Sequence, residues 1–223
     1  MSSPILPQLC PGTSHSRTPA PIRSPTRLAS IRPVLVWIDL EMTGLDADRD
    51  RVLEIATVIT DDDLNPVTDG LQLVVQQPPE VLGLMNDVVS KMHHDSGLTD
   101  EVRRSTLSLA EAQQQTLDFI RRHVHEPGKV PLCGNSIGMD RRFLNRWLPE
   151  IENLLHYHVV DVSSLQELAL RWYPEAAEQR PRKRKGHRAL DDILESIDEL
   201  RYWRSAVFAP APEPPKESSS APS

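Results

Sequence analysis

The chain has 223 residues, 26 % charged and 39 % hydrophobic, and a formal net charge of −7 at pH 7. That fits one soluble globular domain with length to spare, and no stretch approaches the roughly 20 consecutive apolar residues of a membrane-crossing helix. An acidic balance excludes a protein that coats duplex nucleic acid through a basic surface, but not an enzyme that meets phosphate through cations held in a carboxylate cluster.

Residues 1–33 contain Arg17, Arg23, Arg27 and Arg32 and no Asp or Glu. An acid-free leader with Arg and Ser has the composition of a transit peptide, but scattered prolines oppose the helix such a peptide forms, so it is read as a disordered tail. VLVWIDL at 34–40 is an apolar run and reads as a buried strand. VLEIATVIT at 52–60 and LQLVV at 71–75 follow as strands, separated by turn-forming Asp, Asn, Pro and Gly. Ser108 and Glu111 form a capping-box pattern that opens a helix to about His123, with Leu109, Ala112, Leu117 and Ile120 on its apolar side. KVPLC at 129–133 is the next strand, GNSIGMDRRF places Asp140 at a helix start, and HVVD at 158–161 is a fifth strand. Ser163 and Gln166 repeat the capping pattern before a helix through Trp172. A last helix runs from about Arg188 to Ala206, with Leu190, Ile193, Leu194, Ile197, Leu200 and Tyr202 near helical spacing. Residues 208–223 are rich in Pro and Ser and read as a second disordered tail. The order of signals indicates an α/β domain over 34–207, with a mixed central sheet flanked by helices. The two cysteines, Cys10 and Cys133, have the spacing of neither a zinc site nor a disulfide framework and fit a reduced, cytoplasmic setting.

Asp39 and Glu41 close the first apolar strand in WIDLEMTG. Residues i and i+2 share a strand face, so two carboxylates stand side by side where the strand leaves the core. At about 4 Å and an effective dielectric near 20 their repulsion is roughly 4 kcal/mol, which a divalent cation would offset. The bland alternative is one turn cap and one solvated acid. Asp140 can be ordinary capping chemistry. GHRALDDILES offers His187, Asp191 and Asp192 at the entry of the last helix, and geometry alone leaves open which acid faces a site. Together these residues supply hard oxygen ligands and one titratable nitrogen, an inventory for Mg²⁺ or Mn²⁺ rather than zinc.

The strings WIDLEMTGL, EIATVITD, GNSIGMDRRFL, HYHVVDVSSLQELALRWYP and HRALDDI resemble those of the oligoribonuclease family, a branch of the DEDDh exonucleases with a ribonuclease H-like fold. The likeness covers about residues 34–207 and points to the bacterial form. It implies a 3′→5′ exoribonuclease that degrades short oligoribonucleotides, especially dinucleotides, to nucleoside 5′-monophosphates with two Mg²⁺ or Mn²⁺ ions. A same-superfamily exonuclease that trims or proofreads longer strands is the alternative. The resemblance makes Asp39, Glu41, Asp140 and Asp192 metal ligands and His187 the general base, and its His-x₄-Asp spacing selects Asp192 over Asp191. It further implies that Leu45 wedges against the bases, that His93, Ser136 and Ser163 hold a 5′ phosphate, and that Tyr157 reaches the substrate from the second subunit of a homodimer. Two positions depart from the family pattern: Val88 stands where Trp is frequent, and the substrate-facing His158 where Arg is common. The basic run from Arg180 to Arg188 is read as a solvated loop.

Overall fold

A computed structural model describes residues 34–181 and 186–209. The leader, the tail beyond Ala209 and residues 182–185 of the basic run lie outside the described residues. Strand β1 (Val34–Met42) pairs antiparallel with β2 (Val52–Asp61), which pairs antiparallel with β3 (Leu71–Val74). Helices α1 (Pro79–Leu82), α2 (Asp87–Asp95), α3 (Leu98–Arg104) and α4 (Leu109–Arg121) follow. The chain then runs through β4 (Leu132–Gly134), α5 (Gly138–Trp147), α6 (Pro149–Leu154), β5 (Val159–Asp161), α7 (Val162–Trp172), α8 (Pro174–Glu178) and α9 (Ala189–Val207). The sheet order is β3-β2-β1-β4-β5, with β4 parallel to β1 and β5 parallel to β4. This is the expected mixed sheet with flanking helices.

The apolar run of β1 is explained by burial on both faces. Val36, Ile38 and Leu40 join a core with Leu117 and Ile120 of α4, Phe143 and Leu144 of α5 and Ile151 of α6. Trp37 points the other way, into a core with Val162 and Ala169 of α7 and Ile193, Ile197 and Trp203 of α9. Its indole N–H donates to Thr60 Oγ1 at 3.0 Å, which satisfies the buried donor. Asp39 and Glu41 continue the Trp37 face, so α9 lies over the side from which these acids project.

Helices α1, α2 and α3 occupy 79–104, for which no element was expected, and two local expectations need correction. Strand β4 begins at Leu132, because Pro131 has no N–H to give to a ladder. Helix α7 is capped by Asp161, whose side chain accepts from the Ser163 N–H, so Ser163 is inside the first turn rather than the cap. The capping box of α4 forms as expected: Ser108 Oγ accepts from Glu111 N at 3.2 Å, and Glu111 Oε2 accepts from Ser108 N at 2.9 Å.

Candidate active site

Asp39 and Glu41 at the end of β1 meet Asp192 from the first turn of α9. One carboxylate oxygen from each can be chosen so that all three lie within 4.8 Å of one another. The position of α9 follows from its apolar face. Ile193 and Ile197 are buried with Trp37, which brings the half-buried Asp192 over the strand end and leaves Asp191 exposed. The burial pattern thus favours the acid that the His-x₄-Asp spacing selects. Glu41 is only 8 % exposed. Burial, followed by the charges of Asp192, Glu54 and Asp140, pushes its pKa up to about 8. Converging, partly desolvated carboxylates that resist ionisation in one another's company fit a divalent cation.

Asp140 stands outside that group of three among the described residues. It lies in the first turn of α5 and is buried. Its Oδ1 accepts the Leu40 N–H at 3.0 Å. β1 and β4 are registered at Val36–Leu132 and Trp37–Cys133, so farther along β1 the Leu40 N–H is available to a side chain. Asp140 is therefore not the cap of its own helix; it ties α5 to the strand that carries Asp39 and Glu41. Burial raises its pKa as well. His187 is exposed, sits just before α9 with a left-handed φ of +47°, and does not join the carboxylate group. His93 of α2 is fully buried. Its Nε2 lies 2.8 Å from the Met42 carbonyl, its Nδ1 is 3.9 Å from Glu41 Oε2, and burial lowers its pKa. The buried Nδ1 has no hydrogen-bond partner, and the ring must be uncovered before it can touch a 5′ phosphate.

The loop that follows β1 lines a groove of about 1100 Å³. Leu45, which is 67 % exposed, and Val88, which is 77 % exposed, both line it, together with Thr43, Arg49 and Arg142. Ser136 and Ser163 come together on Asp161. The Ser163 hydroxyl donates to Asp161 Oδ1 at 2.5 Å, and Ser136 N–H lies 3.1 Å from the same oxygen and 3.0 Å from Ser163 Oγ. Ser136 has φ +53°. Tyr157 and His158 are exposed, with ring centroids 4.2 Å apart, and His156 packs against both. Arg141 holds this turn by donating to the His156 and Tyr157 carbonyls, each at 2.9 Å.

The family profile described as Exonuclease matches residues 36–200. The oligoribonuclease of Rhodococcus jostii is 52 % identical over 180 residues, 81 % of this chain and 90 % of that protein. That of Streptomyces griseus is 52 % identical over 183 residues, 82 % of this chain and 90 % of its own. That of Marinobacter nauticus is 50 % identical over 174 residues, 78 % and 96 %. The chain belongs to the oligoribonuclease family. Among solved structures it is similar to E. coli exonuclease I in complex with single-stranded DNA, with a TM-score of 0.61 at 13 % identity. That match covers 78 % of this chain and 41 % of the longer one and shows a shared fold.

Two residues of this oligoribonuclease-family chain escaped the sequence reading and bear on the site. Glu54 was absorbed into an apolar strand, although one acid inside VLEIATVIT is itself a signal. Its carboxylate is buried, opposite Glu41 in the β1–β2 register. Arg188 ends the basic run expected to be a solvated loop. Instead its guanidinium is bound to Glu54 and Glu101. Their separations of 134 and 87 residues hide both contacts from local pattern.

Proposed function

We propose that the protein is a 3′→5′ exoribonuclease that converts very short RNA, dinucleotides above all, to nucleoside 5′-monophosphates. The observation that carries this reading is the convergence of Asp39, Glu41 and Asp192 at the end of β1, whose following loop lines a groove together with Val88. The identity to oligoribonucleases over most of both chains supports it. Asp39, Glu41 and Asp192, with Asp140 behind them, would hold two Mg²⁺ or Mn²⁺ ions. When bound, such ions stabilise the negative charge that builds on the phosphate. Leu45 wedges beside the terminal base and Val88 gives the opposite wall an aliphatic surface in place of an aromatic one. His187 accepts the proton of the attacking water at an imidazole nitrogen, which requires its exposed ring to turn toward the carboxylates. The Ser136 and Ser163 hydroxyls bind the 5′ phosphate, and His93 reaches it only once its buried ring is uncovered. His158 lacks the permanent charge and bidentate fork of Arg, so this end is held less tightly than in relatives with Arg there. We place the enzyme in the cytoplasm as a homodimer; no helix among the described residues is long and apolar enough to cross a membrane.

A length ladder tests the proposal. Purified protein is given a 5′-phosphorylated dinucleotide and a long single-stranded RNA, with Mg²⁺, with Mn²⁺ or with EDTA, and products are separated by chromatography. The dinucleotide should yield nucleoside 5′-monophosphates at least about tenfold faster per end than the long strand, and EDTA should abolish turnover. Equal rates per end would reassign the protein to trimming of longer strands.

A further inference from the structure

Arg188 lies between His187 and the first residue of α9. Its guanidinium is shared by carboxylates from two other elements. Nη2 and Nε donate to Glu54 of β2 at 2.7 and 3.1 Å, and Nη1 and Nη2 donate to Glu101 of α3 at 2.8 Å each. Glu54 has no solvent-exposed side-chain surface, whereas Glu101 is 38 % exposed. Glu54 also accepts the Ala189 N–H at 3.0 Å and the Gln72 amide at 2.7 Å. A buried carboxylate directly across the strand pair from Glu41 adds to the repulsion in the site. An apolar residue at Glu54 would serve packing at less desolvation cost, so stability alone does not account for the arrangement.

Backbone geometry shows what the arrangement constrains. A histidine at φ +47° is uncommon and persists where its surroundings over-determine it. The two residues after His187 are fixed independently on Glu54, Arg188 by its side chain and Ala189 by its N–H. The Asp192 N–H donates to the Arg188 carbonyl at 3.0 Å, which carries the anchor one turn onward to the carboxylate group. Glu101 adds a third element, because α3 follows α2, the helix that bears the groove residue Val88.

We propose that Arg188 is a positioning residue: by gripping Glu54 and Glu101 together it holds Asp192 against Asp39 and Glu41 and fixes the backbone from which the His187 ring turns toward them. This rests on the reading of His187 and Asp192 as working groups of the site. Lysine keeps the charge but has one nitrogen and no fork, so it cannot serve both carboxylates in the same geometry.

The test compares Arg188→Lys, Glu101→Gln and His187→Ala with the unaltered protein. Amide hydrogen exchange is measured in EDTA, Mn²⁺ binding by calorimetry, and kcat and KM on a dinucleotide. Arg188→Lys should raise exchange across 187–193 by about tenfold or more while β1 and β2 stay protected. It should weaken Mn²⁺ binding by about tenfold and lower kcat per folded molecule by about 10- to 100-fold, with KM changed far less. Glu101→Gln should move the same readouts in the same direction by a smaller factor. Exchange that rises evenly over the sheet, or a kcat within twofold of the unaltered protein, overturns the proposal. Should Arg188→Lys not fold, Glu101→Gln decides: local exchange and kcat both unchanged reject the clamp. A fully active His187→Ala would instead reject the assignment of the base, and the clamp would stand or fall on local exchange and Mn²⁺ binding.

Discussion

Neighbouring acids with the same chemistry have different prospects when only one is turned inward. Asp192 reaches the carboxylate group and Asp191 is exposed. Asp192→Ala should lower kcat on a dinucleotide by more than about 100-fold and weaken divalent-cation binding, whereas Asp191→Ala should stay within about twofold. Steady-state kinetics and calorimetry on both variants check this, and equal losses would reject the assignment. Packing makes a second prediction. A Cβ on Gly44 would lie 2.3 Å from Asp50 Oδ2. Asp50 is buried and cannot simply swing away, since it accepts from Thr43 Oγ1 and from the Asp46 N–H. Gly44→Ala should cost about 1–3 kcal/mol, seen as a lowered Tm, and should raise KM because the loop presents Leu45 to the groove. An unchanged Tm and KM would show that the loop shifts freely. The Asp39–Glu41 pair could be read from strand alternation alone. The choice of Asp192 needed the family spacing, because the start of a helix cannot be placed from sequence to within one residue.

At the scale of elements, the long apolar strands were legible and the short helices were not. β2 is buried along nearly its whole length and β1 through its centre, and burial on both faces demands that composition. Helices α1, α2 and α3 have 4, 9 and 7 residues, and their polar exposed faces leave too few turns for a periodic signal. They nevertheless supply Val88 and Glu101, so part of the groove and half of the Arg188 clamp were out of reach of the pattern. The two expected serine caps differ for a physical reason. Ser108 is reciprocated by Glu111, whereas Ser163 is outcompeted by Asp161 two residues earlier, whose carboxylate is the stronger acceptor. Ser108→Ala should therefore destabilise the protein by about 1 kcal/mol in denaturant unfolding. kcat should not change, because α4 contributes to the core and none of the nominated site residues lies on it. A fall in kcat per folded molecule would mean that α4 is coupled to the groove.

Across the molecule, the three parallel strands each lead at their C-terminal ends to nominated site residues. β1 brings Asp39 and Glu41, the turn after β4 leads to Ser136 and Asp140, and β5 runs into Asp161 and Ser163. Open α/β sheets gather ligands at that edge, because the strands end there and the following segments are free to diverge. β5 is also the last strand of the sheet, and large apolar side chains stand exposed on it and on the helix behind it: Val159, Leu168, Leu170 and Trp172, with Tyr157 just ahead. An edge strand beside exposed apolar surface is a natural place for a second copy to pair. In the proposed homodimer, the resemblance implies that Tyr157 of one protomer serves the carboxylate group of its partner, and this is open to test. Light scattering should give twice the monomer mass, and Trp172→Glu should reduce it to one. Complementation then tells whether Tyr157 acts across the interface. Tyr157→Ala and Asp192→Ala should each be nearly inactive alone. In a mixed dimer, the Tyr157→Ala protomer retains its carboxylates and receives an intact Tyr157 from the Asp192→Ala partner. Random exchange of equal amounts makes half the dimers mixed, each with one complete site, so about a quarter of full activity should return. Activity that stays at the level of the separate variants, with mixed dimers demonstrated by native mass spectrometry, would place Tyr157 within its own protomer's site.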